Sequence, residues 1–167
     1  MLSSTTGIIH FIASIVALIS GTIILAQTKG TQRHKQIGYT YCVSMLIVLV
    51  TSFMIYRLHG SFGILHWFAV ISSLTLVGGM LPMLLKRPKN YISYHFSFMF
   101  WSVIGLYCAF VAEIFTRIPL IYEIDADVVG IFYAMVGIAA GLVGGIGSIF
   151  FRRYKQKWSA FDPHHTK

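Results

Sequence analysis

Residues 29–45 read KGTQRHKQIGYTYCVSM, and the way charge, turn and helix entry coincide there decides the fold. Lys29, Arg33 and Lys35 supply three positive charges, Gly30 and Thr31 supply a turn and a helix cap, and from Ile37 onward the chain is apolar. A long apolar segment precedes the stretch and another follows it, so it joins two membrane spans at a basic surface. His34 stands at the entrance of the second span, with Gly38 one helical turn further on the same face. The bare backbone at Gly38 leaves room beside the imidazole for a flat group.

Working outward, 56% of the 167 residues are hydrophobic and 11% are charged, with a mean hydropathy of +0.74. That composition excludes a soluble domain. The net charge of +8 would suggest nucleic acid in a soluble protein, but here the charges fall in short clusters between apolar runs. Nucleic acid is therefore not an expected partner; the lipid bilayer is. Five spans are predicted, at about 5–26, 31–58, 62–85, 91–116 and 128–151, each long enough to cross about 30 Å of hydrocarbon. The expected fold is all-α: an integral membrane protein with spans one to four as an antiparallel four-helix bundle and a Gly-rich fifth helix. Residues 1–151 make one membrane domain and 152–167 a basic cytoplasmic tail.

Eleven of the thirteen basic residues lie after spans one, three and five, and only Arg57 and Arg117 lie on the other side, with Glu113, Glu123, Asp125 and Asp127. The bias of Lys and Arg toward the cytoplasm then places the N-terminus outside and the C-terminus in the cytoplasm of a cell membrane. Met1–Gly7 holds no basic residue, which argues against a signal peptide. Cys42 and Cys108 lie at different depths and are not expected to pair.

The pattern Lys29-Gly30-Thr31-x-x-His34-Lys35-x-x-Gly38-x-x-Tyr41-x-x-x-Met45 resembles the signature of a family of small bacterial multi-pass membrane proteins of unknown function, in which an Arg stands at the place of Lys35. The resemblance extends to His10, His95 and Met99 and implies a multi-pass fold, with no chemistry attached.

Ionisable groups inside spans are expensive and mark candidate sites. His10 lies in span one and His66 in span three, both toward the outer side; His34 in span two and His95 in span four lie toward the inner side. In an antiparallel bundle the first and third helices are diagonal, as are the second and fourth, so each pair can face across the core. Two imidazoles on facing helices can hold a haem iron from opposite directions. The arrangement resembles the four-helix core of diheme b-type transmembrane cytochromes. That resemblance implies His10 and His66 as axial ligands of an outer haem b, His34 and His95 as those of an inner one, and Gly38 as the residue making room for the inner ring. A membrane oxidoreductase would follow, with a quinone or a redox partner protein as its electron partner.

Three other readings stand beside it. Each histidine can instead hydrogen-bond a neighbouring helix or a lipid headgroup. His10, His66 and Glu113 could serve a zinc-dependent membrane hydrolase, although no H-E-x-x-H motif is present. A cofactor-free assembly protein of a respiratory complex is the third. Glu113 and Arg117 form an i, i+4 pair, read first as an interfacial salt bridge and second as a substrate contact. Gly137, Gly141 and Gly145 repeat every four residues, a small-xxx-small pattern suited to a homodimer or to packing within the chain.

Overall fold

A computed structural model describes residues 4–55, 62–115, 128–159 and 161. Five helices make up the described chain: α1 (Thr5–Ala26), α2 (Gln32–Met54), α3 (Ile64–Leu85), α4 (Tyr91–Phe115) and α5 (Val128–Ser159). All five contain stretches long and apolar enough to cross a bilayer. The chain is an all-α, multi-pass membrane protein. Its outward faces fit lipid: Ile12 and Ile19 on α1, Val43 and Leu46 on α2, and Leu142 and Ile149 on α5 are all exposed. The chain divides into two compact units, Met1–Leu76 and Val77–Lys167.

In the first unit α1 and α2 form a hairpin. Ser4 caps α1 by accepting from the Gly7 amide, and Thr31 caps α2 by accepting from the His34 amide at 3.1 Å. Between them Gly30 takes φ +79, the left-handed region. Any L side chain there costs about 1–2 kcal/mol, so Gly30→Val is expected to lower the thermal midpoint of the detergent-solubilised protein.

Lys29 finishes the turn by donating its ammonium protons to the carbonyls of Ile24 and Leu25, two acceptors that the end of α1 leaves without helical partners. Burial pushes its pKa below the ordinary 10.5. The charged form is thus disfavoured on folding, the unfolded chain binds more protons, and stability rises with pH through the window below 10.5. Lys29→Met is expected to abolish that rise in unfolding midpoints measured from neutral pH upward.

The hairpin interface follows from side-chain size. Gly7, Ala13, Ala17 and Gly21 line the buried face of α1, while Tyr41, Met45, Val48 and Leu49 are buried on α2. A methyl at Gly38 would meet Cδ1 of Ile24 at 3.3 Å, and His10 meets Thr51 at 2.9 Å. Those two contacts set an antiparallel register that brings Met45 level with Ala17 and Tyr41 level with Gly21. The close-approach motif of small residues every four positions is thus used at Ala13, Ala17 and Gly21 of α1.

In the second unit α4 packs antiparallel to α5. A Cβ at Gly147 would lie 2.8 Å from Ile104, and Trp158 lies 6.0 Å from Phe96 and 5.5 Å from Phe100 between ring centroids. Trp158 is the reason the fifth helix continues to Ser159 instead of ending near 151, so the first part of the expected tail is helical. The end of α3 meets α4 through glycines: a Cβ at Gly78 would sit 2.8 Å from Phe98, and one at Gly79 would sit 2.6 Å from the Met99 sulfur. Neither Cys42 nor Cys108 is disulfide-bonded.

Candidate functional site

The four histidines predicted as ligands have distinct surroundings, and hydrogen bonding fixes the proton on three of them. His10 is half-buried on α1, one turn before Ser14, whose hydroxyl donates to the His10 carbonyl at 2.8 Å. Its ring Nδ1 lies 2.9 Å from the Thr51 hydroxyl oxygen on α2. That oxygen also lies 2.7 Å from the Ile47 carbonyl and 3.0 Å from that of Val48. Two oxygens at 2.7 Å require a proton between them, so the single hydroxyl proton of Thr51 goes to its own helix. Thr51 then accepts from His10, whose Nδ1 carries the hydrogen and whose Nε2 carries the lone pair. Ligation of a metal or haem iron through Nε2 needs that tautomer, and an acceptor at the other nitrogen is its usual companion.

His95 arrives at the same state by a different route. Its Nδ1 lies 2.8 Å from the backbone carbonyl of Gly79, an oxygen that can only accept. Nδ1 therefore donates, and Nε2 again holds the lone pair. Pro82 has no amide proton and so leaves the Gly78 carbonyl without its helical donor, one residue before the Gly79 carbonyl that His95 meets.

His66 is the reverse case. It is buried, and its Nδ1 accepts from the Gly63 amide at 3.2 Å. Gly63 also supplies the first carbonyl acceptor of α3, at 3.0 Å from the His66 amide. His66 thus reaches back from the third helical position to the cap amide, as Glu or Gln does in a capping box. A neutral ring that accepts at Nδ1 carries its proton on Nε2. In this state His66 caps a helix and does not fit an iron ligand; to become one, its ring must release Gly63.

His34 is half-buried at the third position of α2, its amide held by the Thr31 cap. It belongs to the first unit and His95 to the second. The space beside Gly38 does not fit the flat ring assigned to it, because Ile24 occupies it. Tyr41 and Met45, the next two residues on this face, are 0% and 1% exposed. Lys29, Gly30, Thr31, Gly38, Tyr41 and Met45 all build the α1–α2 hairpin. The part of the sequence that looks most like a signature is therefore mainly a packing device.

Glu113 lies half-buried near the end of α4; Arg117 and His59 lie outside the described residues. Among the described residues no three His, Cys, Asp or Glu side chains gather into a group able to hold a metal, which leaves the zinc hydrolase reading without support. Thr51 and the Gly79 carbonyl are hydrogen-bond partners of the histidines that spacing alone does not single out. A hydroxyl exactly level with a histidine becomes visible only once the register of the hairpin is known.

No protein-family model, curated protein or solved structure matches this chain. The assignment of function therefore rests on the chemistry of these side chains.

Proposed function

We propose that this protein is a membrane-embedded, b-type cytochrome-like carrier of electrons, in which His10 is the principal haem ligand of the first unit and His95 that of the second. The observation that carries this reading is the bond from His10 to Thr51, which leaves Nε2 as the lone-pair nitrogen and holds the imidazole plane. The bond from His95 to Gly79 supports it in the same way. His66 would join His10 only by turning away from Gly63, at a cost of about one hydrogen bond, roughly 1 kcal/mol. A bound haem supplies a one-electron ferric/ferrous couple. The chain supplies the imidazoles and their orientation. The distribution of Lys and Arg supports an N-terminus outside and a C-terminus in the cytoplasm; a quinone or a redox partner protein would complete the path.

The test is a reduced-minus-oxidised visible spectrum of the purified protein, with haem quantified per chain, after expression with added haem. Sharp low-spin b-type bands support two-histidine ligation, and a single-histidine site gives a high-spin spectrum. A protein without haem overturns the proposal.

A second reading, a cofactor-free assembly protein, is favoured by one observation: Gly137, Gly141 and Gly145 are exposed, and a Cβ at any of them meets nothing within 4 Å. Helix α5 packs on α4 through Gly147 instead, so the glycine stripe suits a second copy of this chain or another membrane helix. That reading expects a dimer in mild detergent and no haem absorbance.

A further inference from the structure

The second unit carries a groove of about 420 Å³ between the start of α4 and the end of α5. Asn90 just before α4, Ser93 and Ser97 of α4 and Lys155 of α5 provide its polar lining, and Trp101 and Phe151 its aromatic floor. The two kinds of surface are separated along the helices. Asn90 stands at the entrance of α4 and Trp101 about 16 Å further along by helical rise, while Phe151 lies one turn inward from Lys155. The Trp101 and Phe151 rings are packed against each other, with centroids 5.5 Å apart, and the Lys155 ammonium lies 5.8 Å from the centre of the Phe151 ring. The groove thus runs from a charged, polar rim into an apolar, aromatic interior.

Lys155 lines the groove, and the chain on either side of it is strongly cationic. Lys86, Arg87 and Lys89 lead into α4, and Arg152, Arg153, Lys155 and Lys157 close α5; all seven are exposed. The one carboxylate among the described residues, Glu113, is at the opposite end of α4. Cations clustered where a membrane helix meets the surface attract anionic lipid headgroups. We propose that this groove binds an anionic glycerophospholipid, with the phosphate at Lys155, Asn90 and Ser93 and an acyl chain lying on Trp101 and Phe151. The charge decides between candidate ligands: a neutral quinone head gains nothing from seven cations, whereas a phosphodiester does. The volume lies in the lower part of the range of small-molecule sites and suits a headgroup with the first part of a chain. This inference is independent of haem binding.

The experiment is native mass spectrometry of the delipidated protein in mild detergent, titrated with dioctanoyl phosphatidylglycerol or dioctanoyl phosphatidylcholine. The expected result is clear preference for the anionic lipid, weakened about fivefold in Lys155→Gln, the effect of one lysine at a membrane surface. Ser97→Trp, which fills the groove, is expected to abolish that preference while helical circular dichroism and elution volume stay unchanged. Equal binding of the two lipids overturns the proposal, as does full binding by a folded Ser97→Trp variant. Displacement of the lipid by equimolar inorganic phosphate would reassign the site to free anions, and displacement by a short-chain quinone would reassign it to quinone; either result overturns the lipid assignment.

Discussion

Under the proposed haem assignment, His10→Ala is expected to lose the haem absorbance of the first unit, because the substitution deletes the imidazole that would hold the iron there. A subtler companion is Thr51→Val, which keeps the branched shape of the side chain and removes the oxygen 2.9 Å from Nδ1. Without that acceptor the proton is no longer held on Nδ1, and Nε2 is no longer fixed as the lone-pair nitrogen. Loss of an orienting partner of this kind lowers metal affinity by about 10–100-fold. Haemin titration of the purified variants, followed at the Soret band, measures both effects. Wild-type haem content in His10→Ala would sink the assignment of His10, whatever the result for Thr51→Val.

Tyr41→Ala is expected to give the largest loss of stability in the first unit. Tyr41 is 0% exposed and is the largest fully buried side chain among the described residues. In a soluble core its truncation would lose both transfer energy and packing. Between membrane helices the transfer part is small, since lipid is as apolar as the helix face. The cavity remains, at about 24 cal/mol per Å³, and a void the size of a phenol ring then costs roughly 2 kcal/mol or more. Met45→Ala, one turn along the same face, is expected to lose less because the side chain is smaller. Unfolding of the micellar protein by sodium dodecyl sulfate, followed by circular dichroism, ranks the two. Equal stability of Tyr41→Ala and wild type would show that the α1–α2 contact does not hold the unit together.

The spans could be read from the chain because their cause is local. Apolar runs of more than 20 residues such as Thr5–Ala26 and Tyr91–Phe115 leave the backbone no alternative to helix in lipid. The cap at Thr31 and the turn at Gly30 are likewise local, and both are seen as expected. The glycine repeat on α5 left its packing partner open for a physical reason. Small residues permit a close approach but do not compel one, so the conspicuous Gly137, Gly141 and Gly145 face outward while Ala13, Ala17 and Gly21 make the tight interface of α1. The end of α5 was equally hidden: Arg152 to Lys157 look like a solvated tail until Trp158 is found against Phe96 and Phe100.

The histidines show the same division most sharply. Composition and apolar period establish that His10, His34, His66 and His95 occupy or border membrane helices, because hydrophobic length is a property of consecutive residues. Which nitrogen of a ring carries the proton depends on what stands opposite it, and that is set by the register of one helix against another. Thr51 is 41 positions from His10 and Gly79 is 16 from His95; no local pattern connects either pair. Packing brings a hydroxyl to His10, a carbonyl to His95 and an amide to His66, and so turns four similar side chains into two imidazoles that donate at Nδ1, one helix cap and one half-buried histidine at a hairpin turn.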